Sequence, residues 1–424
     1  MKYLVASTFE GGYQPLNAIS ATTALLDADI DAQLIDIYVE GLALERFSDA
    51  DLVFICVPLF DSLTAGTQLA KQLKEAKPSQ KICFFGQYAT INAKSLASKY
   101  GDYAIAGEWE KPIVSLAKHL SGEQEQDLRG VIDRTRGLSS EIVVPQLIRD
   151  GFRLPRRDLA PPLHKYPQPQ LEKLLGEKKV VGGVEGSRGC HHKCSYCSVY
   201  AAYDGKVLLV SDDLVERDVA NLVAQGMTHL TFTDADFFNG KKHGLKIIRT
   251  LHSQFPDLTY DFTTRVDHIL ENKDAIKEMG QLGLAFITTA LEFPKQEVLD
   301  QVFKEMNVPM IEEALAFLKE AGVKVNPTFI TFNPWVSLED MAELHDFIAR
   351  NELENIVDPI QFETRLHLYK GSPLLNNDTV KELQLEEHEF HFDWQHSDSR
   401  LDKLFMDSVT PPEEGVFKRC CLKC

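Results

Sequence analysis

With 424 residues, 44% hydrophobic and 25% charged, the chain has the make-up of an ordinary globular protein with room for two or three domains. A formal net charge of −18 weighs against the broad basic surface that nucleic-acid binding needs, and no apolar run is long enough to span a bilayer. The opening MKYLVAST reads as a strand and not as a signal peptide, so a cytoplasmic location is expected, where clustered thiols serve as metal ligands or reactive groups.

Residues 1–125 alternate short apolar runs with helical patterns, which predicts a doubly wound α/β sheet. Strands are expected at Tyr3–Ala6, Ala32–Ile37, Leu52–Val57, Ile82–Phe85 and Tyr103–Ala106, with helices such as Leu16–Leu26 and Ala65–Glu75 between them. The ligand edge of such a sheet is the set of loops after its strands, here Ser7–Gly12, Pro58–Gly66, Gly86–Thr90 and Gly107–Glu110. Neither GxGxxG nor a P-loop occurs. Residues 126–178 are proline-rich (RRDLAPPLHKYPQPQ) and read as a linker or strap.

A second alternation fills residues 179–380. Strands are expected at Val180–Val184, His229–Thr233, Thr259–Thr263, Ala285–Leu291, Lys324–Thr331 and Pro359–His367. Helices are expected at Asp212–Gln225, Lys242–Gln254, Lys273–Leu282, Met310–Ala321 and Leu338–Asn351. Six βα repeats fall short of a closed eight-fold barrel, so a partial (β/α)6 TIM barrel follows, with active residues at strand C-termini. Residues 381–424 form a C-terminal extension. Its histidines His388, His391 and His396 read as a solvated stretch.

Of eight cysteines, Cys56 and Cys83 lie in apolar runs and read as core filler. Cys190, Cys194 and Cys197 form a CxxxCxxC loop straight after a strand, in VVGGVEGSRGCHHKCSYC. Three thiolates suit an iron–sulfur cluster and leave one iron open to a substrate. Gly186 and Gly189 let the backbone wrap closely. A zinc site using His191 or His192 as fourth ligand is the alternative.

RGC–HHK–C–SYC resembles the signature of the radical S-adenosylmethionine (SAM) superfamily. The resemblance implies that Cys190, Cys194 and Cys197 hold a [4Fe–4S] cluster, that SAM binds its free iron, and that an external donor such as flavodoxin or ferredoxin supplies the electron. It implies SAM contacts at Tyr196, Asp234, Asp236, Arg265, Glu292, Asn326, Thr328, Thr331 and Arg365. The first domain resembles the cobalamin-binding class of that superfamily at PLFDSLTAG, FFGQYAT, AIAGEWEKP and RRDLAPPLHKY. That class's DxHxxG motif is absent, and His119 is the sole histidine before the strap. Either cobalamin binds without a histidine or the domain only shapes the active site.

The chain ends in RCCLKC, so Cys420, Cys421 and Cys424 fall within one helical turn. Adjacent Cys420 and Cys421 make a poor disulfide, and Lys418, Arg419 and Lys423 favour thiolates. A three-thiolate arm suits a soft, thiophilic centre, a second cluster, zinc or redox exchange. This ending resembles the arsinothricin-biosynthesis branch of the radical SAM family. That resemblance implies transfer of the 3-amino-3-carboxypropyl group of SAM to arsenite held by Cys420, Cys421 and Cys424, releasing 5′-methylthioadenosine. A cobalamin-dependent methyltransferase acting on a small molecule is the alternative, and a non-enzymatic arsenic- or metal-binding thiol protein a second one. No nucleic-acid or membrane partner is expected.

Overall fold

The computed structural model describes residues 1–123 and 126–409, which form two compact units. The first comprises Met1–Pro167, Val180–Val184 and Leu208–Met227; the second comprises Gln168–Lys179, Glu185–Val207 and the residues from Thr228 on. The terminal Cys420, Cys421 and Cys424 lie outside the described residues.

The first unit is built on strands β1 (Tyr3–Ser7), β2 (Ala32–Asp36), β3 (Leu52–Cys56), β4 (Lys81–Phe85), β5 (Tyr103–Ile105) and β6 (Val131–Asp133), in the order β2–β1–β3–β4–β5–β6. All neighbours run parallel except β6, which pairs antiparallel with β5. β1 and β3 are buried at every position, which is why their runs YLVAS and LVFIC do not alternate. Helices α1 (Leu16–Asp27), α2 (Phe60–Ala76) and α3 (Gln87–Ser95) lie in crossovers between parallel strands, and α4 (Glu110–Leu120) leads from β5 to the antiparallel β6. Cys56 and Cys83 are fully buried, Cys56 packed in the aliphatic–aromatic core and both on its strands, as core filler should be. The chain leaves β1 toward β2 and returns to β3 on the other side, so the sheet reverses direction at β1/β3, where ligands of such sheets bind.

The proline-rich stretch is more ordered than its composition suggests. It supplies β6, and Gln146 bridges Gly107 through Glu108 N–H and Ala106 C=O. Arg157 is only 2% exposed and forks onto Asp218 at 2.8 and 2.6 Å, with a further bond to Gly183 C=O at 2.8 Å. This pair joins the stretch to α5 (Asp212–Ala224) and, through Gly183, to β7 (Val181–Val184).

In the second unit, β8 (His229–Phe232), β9 (Thr259–Thr263), β10 (Leu284–Glu292) and β11 (Lys324–Phe329) form consecutive parallel pairs. Between and after them lie α6 (Lys241–Gln254), α7 (Val266–Glu271), α8 (Lys273–Gln281), α9 (Val308–Glu320) and α10 (Leu338–Arg350). The α/β fold expected from the sequence is therefore present, with one correction. Pro359–His367 does not form a sixth strand. Pro359, which lacks an N–H, opens a 3-10 turn to Glu363 capped by Asp358. Side chains then serve the edge of β11: Gln361 Oε1 accepts from Phe329 N–H at 2.8 Å, and Thr364 Oγ1 from Thr331 N–H at 3.1 Å. Among the described residues, a single bridge, Phe332 to Arg365, remains of the ladder. The chain continues into a small antiparallel sheet of β12 (Leu368–Tyr369), β13 (Leu385–Glu387) and β14 (His391–Trp394), followed by α11 (Ser399–Ser408), the last helix of the described residues.

Candidate functional site

The three-cysteine loop lies in the second unit, with Cys194 7% exposed and Cys190 and Cys197 half-buried. Gly189 has φ +85°, and a Cβ there would lie 2.2 Å from Lys206 C=O, so only glycine admits this approach. The loop is fastened from behind. Tyr369 Oη donates to Cys197 C=O at 2.8 Å, Ser372 Oγ to Ser195 C=O at 3.2 Å and Leu374 N–H to the same carbonyl at 3.1 Å. Asp234 holds its base, accepting from Gly186 N–H at 2.8 Å and Ser187 Oγ at 2.6 Å.

Charge is arranged around the sulfurs. Arg265 Nη1 donates to Cys194 Sγ at 3.3 Å while its Nε and Nη2 hold Asp267 and its Nη2 also reaches Lys304 C=O at 2.6 Å. Burial raises the Cys190 thiol, and the Cys197 thiol to about 11. Thiols in such a setting become thiolates when a metal cation binds them, and a three-thiol donor set on one glycine-wrapped loop fits a [4Fe–4S] cluster with one iron left open.

Next to the loop, Tyr196 Oη and Lys304 Nζ both donate to Glu292 Oε1, the lysine at 2.5 Å, and Lys304 Nζ is 3.2 Å from Tyr196 Oη. Glu292 ends β10 at φ +61°, a left-handed conformation that costs a non-glycine residue about 1–3 kcal/mol and marks a constrained site. Burial works against the charge of Lys304, but Glu292 outweighs it and its ammonium is held above the ordinary lysine value. Burial and then Glu292 push the Tyr196 hydroxyl well up, so it stays a donor.

The remaining expected residues separate. Asp236 accepts from Thr264 Oγ1 at 2.7 Å and pairs with His268 Nδ1 at 3.1 Å. Asn326 Nδ2 donates to Thr288 Oγ1 at 3.2 Å, Thr328 is half-buried on β11, and Thr331 Oγ1 donates to Gln361 C=O at 2.7 Å. Arg365 is committed elsewhere: its Nη2 donates to Asp402 at 2.8 Å and to Trp394 C=O, and its guanidinium lies between the Trp394 and Phe405 rings. His191 and His192 pack against each other, with ring centroids 4.4 Å apart, and against His268. Lys304, His268, Tyr369 and Ser372 were missed by sequence reasoning. A lysine beside a glutamate in DQVFKEMN and a serine before proline carry no local signal.

At the C-terminal edge of the first unit, the Ser7–Gly12 loop contains no histidine, and His119 sits in the last turn of α4. In two of the segments that resemble the cobalamin-binding class, FFGQYAT and AIAGEWEKP, the glycines answer to the protein itself: a Cβ on Gly86 would lie 3.1 Å from Val57 backbone, and one on Gly107 2.3 Å from Gln146 backbone. Glu10 accepts from Asn17 and Ala18 N–H at 2.9 and 3.1 Å, capping α1, and burial raises its carboxyl to about 7. The residues present do not fit histidine-ligated cobalamin.

Residues 184–348 match the family model of the radical SAM superfamily. Hopanoid C-3 methylase of Methylococcus capsulatus is 26% identical over 336 residues, 76% of this chain and 62% of that protein. The ribosomal protein uS12 methylthiotransferase RimO of Bacteroides thetaiotaomicron is 22% identical over 323 residues, covering 70% of each. Among solved structures, the cobalamin-dependent radical SAM enzyme OxsB with aqua-cobalamin bound superposes with TM-score 0.74 at 15% identity, over 96% of this chain and 66% of that one. The radical SAM methyltransferase TsrM from Kitasatospora setae, with cobalamin and a [4Fe–4S] cluster bound, gives 0.67 at 15% identity, over 92% of this chain and 77% of that one. The fold is thus that of cobalamin-dependent radical SAM enzymes, and the chain spans under two thirds of the hopanoid methylase's length. Among the described residues, no helix is long and apolar enough to cross a membrane.

Proposed function

We propose, from the match of residues 184–348 to the radical SAM superfamily model, that this chain holds a [4Fe–4S] cluster on Cys190, Cys194 and Cys197 and moves a carbon fragment of SAM onto a small molecule. The observation that carries this is the fastened three-thiol loop with Arg265 on Cys194 and the Tyr196–Glu292–Lys304 group beside it. When bound, such a cluster, reduced by an external donor of the flavodoxin or ferredoxin kind, supplies one electron to SAM. The chain's own residues do the rest. Arg265 donates to the Cys194 sulfur, Lys304 offers its remaining N–H to the methionine carboxylate, and the Tyr196 ring offers a face to the adenine. Asp234 holds the loop in register.

Two transfers compete. The relatives favour a methyl group, since hopanoid C-3 methylase and TsrM are named for that transfer. The terminal RCCLKC favours the second reading, in which Cys420, Cys421 and Cys424 capture arsenite and the 3-amino-3-carboxypropyl group is transferred to arsenic. The histidine-free Ser7–Gly12 loop also sits better with a transfer that does not use cobalt ligated by the protein.

The nucleoside product separates them. Anaerobically reconstituted protein is given SAM, a reductant and either arsenite or candidate methyl acceptors. S-adenosylhomocysteine with a methylated product supports the first reading; 5′-methylthioadenosine with an aminocarboxypropyl arsenical supports the second. Replacing Cys420, Cys421 and Cys424 by serine should abolish the second activity and leave SAM cleavage intact. No consumption of SAM under any of these conditions would overturn both, leaving a thiol protein on a barrel scaffold.

A further inference from the structure

We propose that His191, His192 and His268, oriented by Asp236, form a mononuclear site for a divalent transition metal beside the cluster loop. The imidazole ring centroids are 4.4, 4.8 and 5.8 Å apart, and one ligating nitrogen from each histidine lies within 4.8 Å of the others. Zinc–nitrogen bonds of about 2.0–2.1 Å need donors about 3.3 Å apart, so small side-chain rotations complete the site.

Two independent features point to a ligand. Asp236 is 1% exposed, and its Oδ2 accepts no hydrogen bond although His268 Nδ1 is 3.0 Å and His192 Nε2 3.8 Å away. His192 Nε2 is itself buried without a hydrogen-bond partner. Polar atoms left this way inside a protein require an explanation, and a cation on His192 Nε2, with the Asp236 charge close by, provides one. Asp236 Oδ1 also engages His268 Nδ1 at 3.1 Å, which leaves Nε2 of that ring for a metal. A carboxylate behind a histidine is the usual support of a metal-binding imidazole.

Three imidazoles with a nearby carboxylate suit zinc, iron(II) or cobalt(II), and the absence of sulfur sets the site apart from the cysteine loop. His191 is exposed, so a coordination position is open to solvent. With His191 and His192 between Cys190 and Cys194 and His268 on α7, a bound ion ties the cluster loop to the second unit's barrel helices. The site is independent of which SAM fragment is transferred.

The probe is zinc, added to chelator-treated, cluster-loaded protein with Cys420, Cys421 and Cys424 replaced by serine. We expect one zinc per chain after desalting, with X-ray absorption giving a nitrogen/oxygen shell at about 2.0–2.1 Å. His268→Gln should lose that zinc while keeping cluster iron and sulfide. If His268→Gln fails to fold, His191→Gln, at an exposed position, should weaken zinc binding at least ten-fold. No retained zinc, sulfur scatterers at about 2.3 Å, or undiminished zinc in the folded variants would overturn the proposal.

Discussion

Lys304 and Glu292 are 4% and 2% exposed, with Nζ and Oε1 2.5 Å apart and Tyr196 on the same carboxylate oxygen. A buried pair of this kind contributes little over an apolar replacement, but breaking it from one side leaves a charge stranded, at about 3–5 kcal/mol. Lys304→Met should therefore lower the denaturant midpoint sharply, and Lys304→Met/Glu292→Gln should recover most of the loss. Equal midpoints for the two variants would contradict the pairing. Glu10 allows a pH test. Its carboxyl is raised by burial from 4.5 to about 7. Between those values the unfolded chain loses the proton while the folded one keeps it, so stability falls as pH rises through this window. Glu10→Gln should be stabilised relative to the parent more at pH 8 than at pH 4, read as melting temperatures of both proteins. At this scale the cysteines were legible because their spacing is local. Lys304, His268 and Ser372 were not, because their meaning comes from partners far along the chain: Tyr196 is 108 positions from Lys304, and Ser195 is 177 from Ser372.

Most elements were legible because apolar runs and 3.6-residue periods mark them without ambiguity; Thr259–Thr263 is read from the sequence with its observed ends. The missing sixth strand shows where such reading stops. VDPIQFETRLHL has a strand's alternation, yet Pro359 lacks a donor and Gln361 and Thr364 bond the neighbouring backbone through their side chains. The segment after it acquires another duty, holding the cluster loop through Tyr369 and Ser372. Each of these hydrogen bonds should be worth about 1 kcal/mol, or about a five-fold change in local opening. Tyr369→Phe and Ser372→Ala should each speed amide exchange across residues 190–198 by about that factor and lower cluster iron content. Exchange unchanged in both would show that the loop holds itself.

For the whole molecule, each compact unit draws on discontinuous segments, which linear reading divides into successive domains. The Arg157–Asp218 pair, with side chains 1% and 4% exposed, joins positions 61 apart within the first unit. A 1–178 fragment lacks Asp218 and α5, so it should unfold at lower denaturant than the full chain, and Arg157→Met in the full chain should cost about 3–5 kcal/mol. A fragment as stable as its counterpart in the full chain would contradict this division. The doubly wound α/β sheet was legible in the pattern of strands and helices, and the cobalamin class in the resemblance of the loop segments, but the histidine-free β1 loop departs from that class's usual ligand. Fold likeness therefore leaves the transferred group to be decided by chemistry at the site.

That chemistry begins with the cluster, and electron paramagnetic resonance of the dithionite-reduced, reconstituted protein with and without SAM tests it most directly. We expect about four irons and four sulfides per chain, a [4Fe–4S]⁺ signal whose g-values shift when SAM is added, and loss of both signal and shift in Cys194→Ala. A cluster whose spectrum ignores SAM, or a protein that holds zinc on these cysteines instead, would contradict the assignment.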